Sequence, residues 1–217
     1  LIIGMLTPAG PRKGMFALSV GSVGCILVYT LYDFFYGAKG VAAGMLVDEF
    51  AVFFKVLFLV AVLLVILSSK DYVQKFHGHR GAEFYPLMLS ATLGMMIMAG
   101  AGDLITMYVG LEVMTISFYI LVGYFTYDGR SSEAGVKYLV LGAASSAVML
   151  YGISLIYGIT GSTNLADVIQ VFGLASMGMS AVMTPAAILA TVLVLAGFGF
   201  KISLIPFHLW APDIYEG

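Results

Sequence analysis

Charge is what this sequence has least of. Only 10% of its 217 residues are Asp, Glu, Lys or Arg, against 61% hydrophobic, and the mean hydropathy is +1.02. A water-soluble domain carries about 25% charged residues because its surface must be hydrated. A chain this poor in charge is solvated by lipid instead. The net charge of −2 supplies no basic stripe for nucleic acid. One cysteine, Cys25, excludes an internal disulfide and any multi-cysteine metal or iron–sulfur site. Also missing are a glycine-rich phosphate loop, a dinucleotide fingerprint, a nucleophile motif and paired span histidines spaced for haem. No resident cofactor or metal is therefore expected; His77 and His79 sit in a loop with too few further ligands to hold one. No basic n-region or cleavage site opens the chain, so the apolar stub Leu1–Leu6 does not read as a signal peptide. Stopped by Thr7, Pro8, Gly10 and Pro11, it is expected to end an earlier span, making the sequence a piece of a longer one.

Long apolar runs are what the sequence does have. A spanning helix needs about 20 mostly apolar residues. Six segments qualify, at roughly 15–36, 50–68, 84–102, 104–125, 134–158 and 184–210. The breaks between them carry turn or polar residues such as Gly37, Lys70-Asp71, Gly102-Asp103, Asp128-Gly129 and Gly161-Ser162. The expected fold is an all-α integral membrane protein, a polytopic helix bundle forming a single transmembrane domain over residues 1–217. Spans three and four, separated by almost nothing, should form a tight helical hairpin. Arg12, Lys13, Lys70, Lys75, Arg80 and Arg130 fall on one side if the spans alternate, and of the loop cations only Lys39 falls on the other. The positive-inside rule then runs span one from inside to outside and places 159–183 outside. The small-residue run from Gly142 to Ala147 allows a neighbouring helix backbone to approach closely.

Ionisable residues within the spans carry the chemistry, since each costs about 2.5–3.5 kcal/mol at the bilayer centre on insertion scales. Glu112 falls near mid-membrane in span four, too short to reach the surface. Lys201 is equally deep in span six. Five residues later Pro206 cannot donate to the carbonyl of Ile202, so the helix is expected to break there. A broken helix is tolerated in a membrane only where protein or water satisfies the freed carbonyls, which points to a hydrated path. Lys137, one turn into span five, divides evenly between a functional role and snorkelling to the inner face. Lys55 reads better as snorkelling outward. His208 either passes protons or caps a carbonyl freed by the break.

Around these residues the motifs become recognisable: Gly110-Leu111-Glu112, Glu133-Ala134-Gly135-Val136-Lys137-Tyr138, Thr160-Gly161-Ser162-Thr163-Asn164-Leu165, and the run from Lys201 through Pro206-Phe207-His208-Leu209-Trp210 to Pro212-Asp213-Ile214-Tyr215-Glu216-Gly217. From about Arg12 onward the chain resembles the antiporter-like subunits of respiratory complex I, the proton-translocating NADH:quinone oxidoreductase, with cousins among multisubunit cation/proton antiporters. Ile214 and Tyr215, where sibling branches L and M typically read Ala-His, place the resemblance with the N branch.

The resemblance implies an inverted-repeat fold of which this piece holds most of the first repeat. It implies that Glu112 and Lys201 form the central pair of a half-channel, with Lys137 on the same polar axis. It further implies proton translocation driven by quinone reduction elsewhere, with flavin, iron–sulfur clusters and quinone in partner subunits. The expected partners are antiporter-like neighbours and small connecting subunits, and the expected location is a bacterial plasma membrane or an organellar inner membrane. The alternative is a subunit of a stand-alone cation/proton antiporter.

Overall fold

Segments as apolar as these can satisfy their backbone in lipid only as helices, and they form helices of 19 to 32 residues. The computed structural model describes residues 12–37, 40–42, 45–76, 81–176 and 185–216. The stub 1–6, Lys39, His77, His79 and Arg80 lie outside the described residues. Helix α1 is Arg12–Tyr36; strands β1 (Gly40–Ala42) and β2 (Met45–Val47) follow, then α2 (Glu49–Phe76), α3 (Gly81–Ala99), α4 (Leu104–Val122), α5 (Gly129–Thr160), α6 (Leu165–Ser176), α7 (Pro185–Lys201) and α8 (Trp210–Glu216). Four of the described helices are long and apolar enough to cross a membrane: Gly14–Tyr36, Glu49–Val73, Leu104–Val122 and Gly129–Thr160. Glu83–Ala99 and Pro185–Lys201 are shorter apolar helices. The fold is a membrane helix bundle, with a small hairpin and the surface helix α6 in segments read from sequence only as connections.

The residues pack as two units: Leu1–Ala101 with Val109–Leu121, and Gly102–Tyr108 with Val122–Gly217. In the first, α1, α2 and α3 enclose Val23, Leu59, Val62, Ile66, Val73 and Tyr85. The Lys70 ammonium lies 5.2 Å from the centre of the Phe16 ring, so the start of α1 and the end of α2 lie together. That is the arrangement the loop-charge reading requires of these two ends. The β1–β2 hairpin lies against the α3–α4 connection, where Leu46 N–H donates to the Gly100 carbonyl at 2.6 Å. Gly100 makes that approach possible: a Cβ there would stand 3.2 Å from both the Leu46 carbonyl oxygen and Lys55 Nζ. Lys55 is thus directed toward this connection. Helices α3 and α4 cross with their backbones touching. A Cβ on Gly94 would come 2.5 Å from Met114 N, and one on Gly110 2.7 Å from Met98 N. Contact partners falling from 114 to 110 as 94 rises to 98 make this an antiparallel hairpin, as the short break implies.

In the second unit α5 packs along α7. The buried face of α5 is Gly142, Ser146, Met149, Gly152, Ile153 and Ile156, at the three- and four-residue spacing of one helical stripe. Only part of the small-residue run therefore faces its neighbour; Ala143 and Ala144 are exposed. Gly152 is required where a Cβ would meet the Ala190 carbonyl oxygen at 2.9 Å, and Ser145 Oγ donates to the Gly197 carbonyl at 3.3 Å.

Polar residues in the breaks turn out to be helix caps. Asp128 accepts from Arg130 N–H to start α5 and Asn164 from Ala166 N–H to start α6. Gly161, at φ 71°, ends α5. Asp103 starts α4. Its partial burial opposes ionisation, but the Thr106 hydroxyl and the Thr106 and Ile105 N–H groups outweigh that and hold its carboxyl below the ordinary carboxylate range.

Candidate functional site

Glu112 stands on α4 in the first unit, half-buried, two residues beyond the Gly110 crossing. Small residues let helix backbones approach closely, so this segment of α4 packs backbone to backbone on α3. The same helix buries two hydroxyls that serve its own carbonyls. Thr115 Oγ1 donates to the Glu112 carbonyl at 3.3 Å and Ser117 Oγ to the Val113 carbonyl at 2.8 Å.

Lys201 is the last residue of α7, half-buried in the second unit. The helix stops there five residues before Pro206, earlier than the proline alone would dictate. Ser203 adopts a φ of 54°, in the left-handed region. Leu204 N–H reaches back to the Gly199 carbonyl at 2.7 Å, and Ser203 N–H to the Phe200 carbonyl at 3.1 Å. These two bonds, 6→1 around 5→2, form a Schellman cap with a serine where glycine is usual. A non-glycine residue in that conformation costs about 1–2 kcal/mol. Pro206 lies in the turns that follow, after a cis peptide from Ile205. Residues 202–209 are non-helical before α8 resumes at Trp210. The C-terminal end of a helix carries partial negative charge, a favourable place for an ammonium.

His208 lies within this break. Its Nδ1 is buried and is the side-chain atom among the described residues in that condition with no hydrogen-bond partner. Carbonyl capping, the bland alternative for this histidine, is not performed by that nitrogen.

Lys137, on α5, is drawn into an ionic cluster. Its Nζ lies 2.8 Å from Glu133 Oε1, one turn back, and 3.0 Å from Asp213 Oδ2 on α8. Arg130 and Glu216 approach to 4.0 Å beside them, and the group lines an open cavity of about 230 Å³. Beneath this cluster Trp210 is buried and sandwiched: Tyr138 stacks on it at 5.0 Å and 11°, and Phe200 at 5.1 Å and 24°. Trp210 Nε1–H donates to the Phe200 carbonyl at 3.0 Å. The structure thus gathers Lys137, Asp213, Trp210 and the residue preceding Lys201 into one set of packed helices. Sequence reasoning could have paired Glu133 with Lys137 from their four-residue spacing. Asp213, 76 positions away, gave no such signal. No group of three or more His, Cys, Asp or Glu side chains able to hold a metal occurs among the described residues.

Residues 101–217 match the model of a family described as NADH:quinone oxidoreductase/Mrp antiporter, transmembrane. The chain is 63% identical to NADH-quinone oxidoreductase subunit N of Desulfitobacterium hafniense, over 99% of this chain and 42% of that protein. It is 50% identical to subunit N of Heliobacterium modesticaldum, over 100% of this chain and 44% of that one. Among solved structures, a chain of respiratory complex I from Thermus thermophilus with bound aureothin superposes with a TM-score of 0.78 at 31% identity. That match covers 100% of this chain and 44% of the other. The chain therefore spans less than half the length of these relatives.

Proposed function

The chain belongs to the NADH:quinone oxidoreductase/Mrp antiporter transmembrane family, and from that premise we propose that it serves as a proton-translocating membrane-arm subunit of an NADH:quinone oxidoreductase. The observation that carries the reading is the break after Lys201. A lysine ends an apolar helix, and irregular backbone follows directly, in a fold where such backbone survives only against protein or water. In this reading Lys201 carries the translocated proton. Glu112 decides whether it is held, because a carboxylate favours the ammonium form and its withdrawal or neutralisation favours release. Lys137 and His208 pass protons to or from it, and the break at 202–209 admits the water and small rearrangement this requires. Energy comes from quinone reduction in partner subunits, which hold the flavin, iron–sulfur clusters and quinone. The partners are antiporter-like neighbours and small connecting subunits.

Affinity purification of the full-length chain from gently solubilised native membranes tests the assignment. We expect it to bring down flavin- and iron–sulfur-containing subunits with NADH:quinone activity. Recovery without them, together with Na⁺- or K⁺-dependent proton exchange in vesicles, would establish the antiporter reading instead.

The membrane is a bacterial plasma membrane in this proposal, with Arg12, Lys13, Lys70 and Arg130 facing the cytoplasm. Tyr127, 95% exposed before α5, and Ile169, 69% exposed on α6, provide the check. In a Cys25→Ala background, Tyr127→Cys should resist an impermeant thiol reagent applied to intact cells, and Ile169→Cys should react. The opposite pattern inverts the topology.

A further inference from the structure

We infer that helix α8 is a strut that ties Lys137 to the break beside Lys201, with Asp213 and Trp210 as its positioning residues. The helix is seven residues long, Trp210–Glu216. At one end Trp210 holds the Phe200 carbonyl through Nε1–H at 3.0 Å. That same carbonyl accepts the Ser203 N–H of the cap that terminates α7. The indole is thus bonded to the residue immediately before Lys201. Asp213, one turn along α8, meets Lys137 Nζ at 3.0 Å. Tyr138, the residue after Lys137, closes the stack over Trp210 from α5. A single helical turn separates the two anchor points. Such a turn is too short to bend, so a shift at one anchor is delivered to the other. Losing the charge on either member of the Lys137–Asp213 pair frees α8 at one end and loosens the cap at the other. Ser203, at a φ of 54°, is the least comfortable link in that cap and the first to yield.

Nothing in this linkage involves the identity of the electron donor. It rests on the proposed function only in supposing that Lys137 and Lys201 both handle the proton, and the test separates the two ideas. The cap uses only the backbone N–H of Ser203, so its side chain can carry a probe. In the full-length chain, in its native membrane and a Cys25→Ala background, the maleimide labelling rate of Ser203→Cys reports how open the break is. Asp213→Asn should raise that rate by roughly two- to fivefold, the span open to an ion pair exposed to the degree of Lys137 and Asp213. Asp213→Glu should restore it to near the parental value. Trp210→Phe, which keeps the stacked ring and loses the N–H, should raise it to a similar extent. The Asp213→Asn/Trp210→Phe double variant should label no faster than the faster single one, since both cut one strut. A parental rate in Asp213→Asn, or a double variant whose rate is the product of the singles, overturns the strut. Should Trp210→Phe lower the amount of chain in the membrane, the Asp213→Asn and Asp213→Glu comparison decides alone. Proton translocation by Lys137→Met is measured separately. Lost translocation with unchanged labelling in Asp213→Asn supports the proton role and sinks the strut. Raised labelling with normal translocation does the reverse.

Discussion

Lys201→Met is expected to remain in the membrane at a normal level and to abolish this subunit's share of the protons moved per electron pair. Two arguments set the size of the effect. Methionine fills a similar volume, and replacing a cation at the end of the apolar helix Pro185–Lys201 with an apolar side chain adds no insertion cost. Assembly should therefore not suffer. In the proposed mechanism the carrier is then gone, since an apolar thioether can neither take up nor release a proton. The neighbouring cap at Ser203 and Leu204 is made from backbone groups and survives the substitution. The measurement is the ratio of protons to electrons in reconstituted vesicles, with assembled complex quantified alongside. An unchanged ratio would remove Lys201 from the path. A lost complex would show that its role is to hold the break together.

The second large effect is expected at Glu112. Glu112→Gln keeps the shape and removes the charge; Glu112→Asp keeps the charge and withdraws it by one methylene. Interactions between charges weaken in inverse proportion to distance and dielectric, and well inside a membrane protein the dielectric is far below that of water. Losing the charge is then worth kilocalories, and moving it by about 1.5 Å only a fraction of that. We expect Gln to impair coupled turnover by at least tenfold, which corresponds to about 1.4 kcal/mol, and Asp to retain much of it. The decisive comparison is Glu112→Gln with Lys201→Met. If the two residues serve one function, the double variant is little worse than Lys201→Met alone. Losses that multiply would show independent roles and end the paired mechanism. Because Gly94 and Gly110 lock α3 to α4 beside Glu112, neither substitution should disturb the hairpin.

The membrane-bundle class, the tight α3–α4 hairpin and the existence of a broken helix near Lys201 were legible in the sequence. So were the motifs that place the chain in its family. These depend on local composition. Lipid allows only a few backbone solutions, and a run of some 20 apolar residues bounded by Gly, Asp and Ser announces a helix wherever it occurs. Several elements ran differently from the periodic pattern. Helix α2 continues to Phe76, well past the apolar run, and α5 begins at Gly129, where the Asp128 cap rather than the first apolar residue sets the start. The α7 helix ends at a left-handed Ser203 instead of at Pro206, because a Schellman cap was available first.

Ion pairing and aromatic contact were decided only by the tertiary structure. The partner of Lys137 was not legible: Asp213, remote in sequence, lies 3.0 Å from its ammonium. Trp210 looked like one more motif residue until the rings of Tyr138 and Phe200 were seen to enclose it. The order of residues along the chain determines which segments become helices, since those hydrogen bonds close within four residues. Which charges meet depends on how α5, α7 and α8 cross. That crossing is set by the close approaches at Gly152 and Gly197 and by the geometry of one short break, none of which local spacing encodes.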